Sequence, residues 1–540
     1  MTRTRVVSLV NRAACSRRRL LGGGAALGLA AAGHSLFPPS ILAQDASPAA
    51  SGAPAGKVVI VLSVEPDTLE NWKAYSGDGH PVLRNVQEAL LNRDPVTNEL
   101  VGELATSWEQ TDEHTWRFTL REGVTFHDGS PFNAEVAAFG INYTWSPENQ
   151  FEIYQFIGSD MVATAVDEYT LDVTTEEPDP ILPARLYFSP IPSMQQVQER
   201  PESLAVEPIG TGPYRFVAWN RGQNIQLTAS DDWWGIGSPD AHGSITIQDV
   251  EFVFRPESNV RAAMVSTGEA QIARYLSPED CATTPVCLSV ASIETVFMRP
   301  DTMHPALQDE RVRHAIAIAI DRPAIAEELL GGGAPAAQLV GPSAAGYDPD
   351  LPSYPYDLDQ ARQLVEEARA AGVDVSAPIK VITRQGNFLR SDELGEYIAA
   401  QLREIGLDAQ SEVVEPAQFN EQAYEVTRTD VPAERGWLLV SPHSNEMMDL
   451  SATARSYYRC DGTASTYCDP QLDAALEAAL PLTGDERAQG LQGVTHILYD
   501  KFGLIPIIHL ELNYGAAREI DWQPRLDAFM LVKEMAFRSE

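Results

Sequence analysis

Between residues 378 and 414 the chain reads "PIKVITR", then "SDELGEYIAAQLREIG", then "LDAQSEVV", and no other stretch restricts the fold as strongly. The outer segments are short and carry the Val and Ile typical of strands. The middle segment places Leu394, Tyr397, Ile398, Leu402 and Ile405 on one face at helical spacing. Strand, helix and strand in such close succession predict a parallel pair with a right-handed crossover. Open parallel sheets take their ligands beyond the carboxyl ends of the strands. The loop at that end is "RQGNFLR", Arg384 to Arg390, and it enters a helix N-terminus, where the peptide dipoles favour an anion.

A chain of 540 residues with 44% apolar side chains exceeds a single core, so two or three domains are expected. Residues 44–56, "QDASPAASGAPAG", read as a linker, and "KVVIVLSV" from Lys57 reads as a buried strand. In "TWRFTLREGVTFHDGSPF", Trp116, Phe118 and Leu120 alternate, and a turn at Glu122-Gly123 leads to an expected second strand around Phe126. "GTGPYRFVAWNRGQNIQL" predicts another hairpin turning at Arg221-Gly222, with Gly210 and Gly212 placed for backbone geometry rather than chemistry. In "DERVRHAIAIAIDRPAIAEELLGGG", Val312, Ile316 and Ile320 keep helical spacing. Asp321 caps a second helix there, and Gly331 stops it.

Acids outnumber bases, 76 to 39, which argues against nucleic acid and anionic membrane as partners. Residues 1–43 carry only positive charges, then an Ala/Gly/Leu run and small residues before a cleavage point after Ala43, the pattern of an export signal. "SRRRLL" resembles the twin-arginine motif, with a Sec signal as the alternative, so a periplasmic or extracellular location is expected. Cys15 lies within that segment. Cys281, Cys287, Cys460 and Cys468 remain, and an oxidising compartment would pair them. Three connectivities are open, and the near spacings favour Cys281–Cys287 and Cys460–Cys468. The Cys lack CxxC spacing, and the ten His form no HxH or HxxxH pair, so no metal and no cofactor are expected. GxSxG, HExxH and phosphate-loop patterns are missing too, which leaves a secreted hydrolase as a remote alternative.

Four blocks together resemble the family 5 extracytoplasmic solute-binding proteins, the dipeptide, oligopeptide and nickel receptors of ABC importers. They are the segment from "NVQEALLNRDP" to "FHDGSPFNAEVAAF", "GTGPYRFVAWNRGQNIQL", "DERVRHAIAIAIDRPAIAEELLGG" and the late Cys-containing "STYCDPQLDAALEAA". The last supports pairing Cys460 with Cys468. The resemblance implies an α/β fold of the periplasmic-binding-protein type II kind, in three parts, with two lobes, a hinge and an inserted extra domain. Domain I would comprise 57–90, 206–297 and 506–540, domain II the insertion 91–205, and domain III 298–505. The implied function is that of a monomeric receptor, not an enzyme, which closes on a peptide or peptide-like solute and delivers it to an ABC permease. An oligosaccharide, an opine or a nickel chelate is the alternative cargo.

The resemblance also implies site residues. Peptide receptors of the family place a tryptophan on a domain III strand with an acid soon after it for the ligand's amino terminus. Trp437 matches, but Leu438, Leu439 and Val440 follow and the first acid is Glu446. Ser441, His443 and Asn445 are then the expected polar contacts. Arg384 and Gln385 fall where a ligand carboxylate is bound, with Asn387 and Arg390 beside them. Tyr275 falls on a pocket-lining loop, where Gln271 replaces the usual acid. Glu65, Trp72 and Tyr75 are expected to line the domain I side.

Overall fold

One sheet organises most of the chain. It was traced in a computed structural model, which describes residues 53–539 apart from 71, 74–78, 150, 158 and 425–434. The export segment and Tyr75 therefore lie outside the described residues. In chain order the strands are β1 (Lys57–Leu62), β2 (Tyr214–Asn220), β3 (Asn224–Ala229), β4 (Asp249–Phe254), β5 (Ile272–Ala273), β6 (Val286–Pro300), β7 (Ile379–Arg384), β8 (Ala409–Val414), β9 (Trp437–Ser444) and β10 (Ile505–Ala516). Across the sheet they run β8-β7-β9-β6-β10-β5-β1-β4-β3-β2, and the short strand Ala334–Pro335 adds to β10.

The β-α-β unit read from the sequence is present. β7 and β8 are parallel, and helix Ser391–Glu404 buries Leu394, Ile398 and Leu402 between them and the core. β1 is parallel to both β4 and β5. Its alternate residues feed two cores: Val58, Ile60 and Leu62 join Phe252 and Trp522, while Val61 joins Ala273 and Cys281 on the other face. A strand covered on both faces must be apolar nearly throughout, as "KVVIVL" is. β9 behaves alike: Leu438 and Val440 enter one core, Trp437 and Leu439 another.

β6 and β10, of 15 and 12 residues, run through both halves of the sheet. Val286–Ala291 pairs with Ala516–Glu511, and Thr295–Met298 pairs with His509–Ile505. Between these two ladders Ser292, Ile293 and Glu294 face only Leu510, so the register breaks there. β9 joins β6 only from Glu294 onward, and β5 joins β10 only at Gly515 and Ala516. The sheet is thus two wings joined by two strands through an irregular stretch, with a second, smaller register shift between Val296 and Phe297.

The second hairpin forms as read, and its glycines have a steric reason. A Cβ on Gly210 would sit 2.1 Å from the Val86 carbonyl oxygen, and one on Gly212 2.7 Å from that of Asn85. The strand expected around Phe126 does not form beyond a single bridge, Thr125 to Pro131. Both edges of Thr115–Leu120 are already taken by Ala105–Asp112 and Thr170–Thr175, in a separate four-stranded sheet. The helix after Asp321 is capped by that side chain and ended by Gly331 as expected, but Ile325–Leu330 winds as a wider π-helix. Both short-range disulfides, Cys281–Cys287 and Cys460–Cys468, are formed.

The chain end returns to the first wing and is held there by buried polar contacts. Asn85 accepts from the Val532 amide (2.7 Å) and donates to the Met530 carbonyl (2.9 Å). Arg525 donates to both oxygens of Asp527 (3.1 and 3.0 Å), and the Tyr187 hydroxyl donates to the same carboxylate at 2.6 Å. Burial would raise the Asp527 pKa, but Arg525 and these hydrogen bonds hold it down to about 2. Asp527→Ala would strand a buried guanidinium and should cost about 3–5 kcal/mol in urea unfolding. Because the folded pKa is depressed, this contribution should be intact above about pH 4 and fade as the pH falls toward 2. Replacing Cys460 and Cys468 together with Ser should remove about 2–3 kcal/mol while leaving ligand preference unchanged, a result that paired unfolding and binding curves would check.

Candidate functional site

A cavity of about 140 Å³ lies where the two wings meet, at the break in the β6–β10 ladder. Its floor is the irregular segment Ser292, Ile293 and Glu294. One wall comes from just beyond the carboxyl end of β5, with Arg274 and Tyr275, and from the carboxyl end of β9, with Ser444 and Glu446. The opposite wall is aromatic: His80, Phe188 and Phe529, where His80 stacks on Phe529 at 4.7 Å and Phe188 meets Phe529 edge-on at 5.7 Å. Parallel strands thus open onto the cavity from both wings, the position that α/β sheets use for ligands.

The cavity holds charges of both signs. Arg274 is buried, lies 4.0 Å from the Tyr275 ring and donates to its hydroxyl at 2.6 Å. Tyr275 has φ 57°, a left-handed conformation that a bulky residue holds only when its surroundings enforce it. Two half-buried carboxyls line the same cavity. Glu294 accepts from the Ser444 hydroxyl at 3.2 Å; burial raises its pKa, and Ser444 and Arg274 partly offset this. Glu446 is pushed up to about 7, by burial first and by the neighbouring Glu294 charge second. His80 is lowered to about 3 by burial and by Arg84 and Arg274, so it is a neutral wall at neutral pH.

Of the residues expected from the sequence, Tyr275 lies on this cavity. Trp437 is 2% exposed and packs with Ile382, Val414 and Leu439, with the Arg299 guanidinium 5.3 Å from its ring. The Ser441 hydroxyl donates to the Pro442 carbonyl. His443 is bonded to the Thr453 hydroxyl at 2.7 Å and meets the Tyr457 ring edge-on, and Asn445 ties Asp449 and Thr453 into the following turn. Arg384 donates to Asn387 at 2.5 Å and the Gln385 side chain faces the Glu415 carboxylate, both at the carboxyl end of β7. Arg390 instead bridges the wings, donating to Glu279 at 2.5 Å. The Glu65 carboxylate caps the turn of the β2–β3 hairpin through the Gly222 amide and Trp219. Trp72 belongs to the core of the inserted sheet.

Arg274, His80, Glu294 and Glu446 also line this cavity and are not among the residues expected from the sequence. Glu446 was visible as the first acid after Trp437. Glu294 had no signal, because an acid within an alternating strand reads as a solvated face.

The family model described as bacterial extracellular solute-binding proteins, family 5 Middle, matches residues 99–457. The chain belongs to this family. It is a substrate-binding protein of the ABC-importer type. It is 26% identical over 452 residues to the glutathione-binding protein GsiB of Pectobacterium atrosepticum, covering 80% of this chain and 84% of that one. Among solved structures it resembles the ABC transporter substrate-binding protein CtaP of Listeria monocytogenes (TM-score 0.77, 19% identity, 90% and 100% covered). It also resembles the periplasmic binding protein DppA of Helicobacter pylori, solved with the peptide STSA (TM-score 0.73, 19% identity, 90% and 98% covered). The type II periplasmic-binding-protein fold expected from the sequence is thereby shown, its two wings joined through β6 and β10.

A carboxylate-bearing solute held at this cavity should respond differently to the two arginines. Arg274→Gln should weaken it by about tenfold or more, whereas Arg384→Ala should leave the Kd within about threefold, as read by calorimetric titration.

Proposed function

We propose that this protein captures a peptide or peptide-like zwitterion between its two wings and presents it to an ABC permease, without transforming it. The observation that carries the reading is the cavity at the ladder break, which brings Arg274, two carboxyls and an aromatic wall together. A zwitterion presents both charges on a short scaffold, and each would otherwise be buried unpaired at a cost of several kcal/mol. The likeness to a glutathione-binding protein supports the same class. In this reading the domains are 57–90, 206–297 and 506–540 for the first lobe, 91–205 for the insertion and 298–505 for the second lobe. The break at Ser292–Glu294 is then the hinge, because a ladder that is already interrupted bends without losing hydrogen bonds. The chain acts as a monomer, exported by a twin-arginine signal within residues 1–43.

A thermal-shift screen tests this directly. Di- to pentapeptides, glutathione, N-acetylated peptides, opines, oligosaccharides and a nickel–histidine chelate would be compared. A zwitterion present at 100 times its Kd should stabilise the protein by about 2.7 kcal/mol, a plain rise in Tm. A shift confined to oligosaccharides or the nickel chelate would overturn the reading.

A further inference from the structure

Two segments, one from each wing, meet beside the break in the β6–β10 ladder. From the first wing comes the chain that leaves β5: Arg274 and Tyr275 line the cavity, and the short helix Pro278–Cys281 follows. Three ties make this strap part of the first wing. Buried Arg261 donates to the carbonyls of Arg274 (3.1 Å) and Tyr275 (2.7 Å). The Leu276 amide donates to the Asn513 carbonyl at 2.9 Å. Cys281, in the first-wing core, is bonded to Cys287 on β6.

From the second wing come Arg390 and the tract Gly331–Gly333. The tract follows the π-helix Ile325–Leu330, whose Ile325, Ala326 and Leu330 belong to the second-wing core. It runs along β10 across the break: a Cβ on Gly332 would lie 3.3 Å from Glu511 Oε1, and one on Gly333 2.6 Å from the His509 carbonyl oxygen. Gly331, at φ 71°, meets the strap itself, because a Cβ there would lie 2.9 Å from Pro278 Cγ. The next strap residue, Glu279, pairs with Arg390 at 2.5 Å, and Arg390 also donates to the Leu329 carbonyl. One guanidinium thus joins the last turn of that helix to the strap of the opposite wing. The pair is partly solvated, its side chains 30% and 60% exposed, so it shifts an equilibrium by only a few-fold and can break each time the wings part.

We propose that Glu279 and Arg390 form a latch that keeps the wings together around the cavity and so sets how long a captured solute is retained. Neither residue lines the cavity. Both are positioning residues, acting through the strap that carries Arg274 and Tyr275. Glycine at 331 lets the strap seat against the second wing, and the ion pair holds it there. A rotation at Ser292–Glu294 that moves the wings apart also moves the two ends of the pair apart. The inference rests on the reading of this cavity as the solute site.

The test follows trialanine release by stopped flow from wild type, Glu279→Ala, Arg390→Ala and the double variant. Each single change should speed release about two- to fivefold. The double variant should be no faster than the faster single, since the pair is lost only once. The Tm of ligand-free Glu279→Ala should stay close to that of wild type, which separates a latch from a support of the fold. Small-angle scattering of the ligand-free protein is the second readout. Glu279→Arg, which sets two guanidinium groups against each other, should enlarge the radius of gyration, and Gly331→Ala, whose Cβ would collide with Pro278, should do the same. Release at the wild-type rate in both single variants, or rates that multiply in the double one, would overturn the latch and leave the peptide reading standing. Failure of wild type to bind trialanine would count against the peptide reading alone. The latch then stands or falls on the scattering, where an unchanged radius in Glu279→Arg overturns it.

Discussion

The feature on which the rest of the molecule depends is a pair of strands too long for either half of the sheet. β6 and β10 pair with each other on both sides of a three-residue irregularity, and every other strand attaches to one side only. Backbone hydrogen bonds make each ladder rigid, since buried N–H and C=O groups left unpaired are costly. At this irregularity that constraint lapses over three residues of β6, and a shorter register shift follows between Val296 and Phe297. Cores on either side are separate: Val58, Ile60 and Trp522 in one wing, Val381, Leu394 and Leu438 in the other. A joint between two independent cores is where a molecule can bend, and it is also where the cavity lies.

The electrostatics follow from this arrangement. The long negative balance of the chain is not spread evenly through the interior. Several buried acids are answered in place: Glu103 by Arg84 and Lys533, Asp449 by Arg487, Asp527 by Arg525. Glu88 is held by two tryptophan N–H groups and a threonine hydroxyl. For Glu294 and Glu446 the direct side-chain donor among the described residues is the Ser444 hydroxyl, and both pKa values are raised.

The polar residues expected around Trp437 show how local tasks absorb candidates. Ser441 and His443 lie on β9 and Asn445 just after it; the Ser441 hydroxyl donates to the Pro442 carbonyl, while His443 and Asn445 bond to Thr453 and Asp449 and stabilise the turn into the next helix. Arg390, on the loop after β7, donates to Glu279 and so ties that loop to the other wing. Whether a polar side chain faces a ligand or a neighbour depends on the direction of its Cα–Cβ bond, and in a strand that reverses with every residue.

From the sequence alone came the elements whose signals are local. The β-α-β unit at 378–414, the apolar run at 57–62, the glycines at 210 and 212, the cap at Asp321 and the two near disulfides all depend on periodicity, backbone sterics or short loops. Four motif blocks in order carried the family. Only the tertiary structure placed Arg274, His80, Glu294 and Glu446 around one cavity, because these residues lie up to 366 positions apart and meet through strand pairing between distant segments. It also withheld the strand expected around Phe126, since the edge it needed was already occupied by Ala105–Asp112 and Thr170–Thr175. Periodicity reports which face of an element is buried; it carries no record of which element will cover that face.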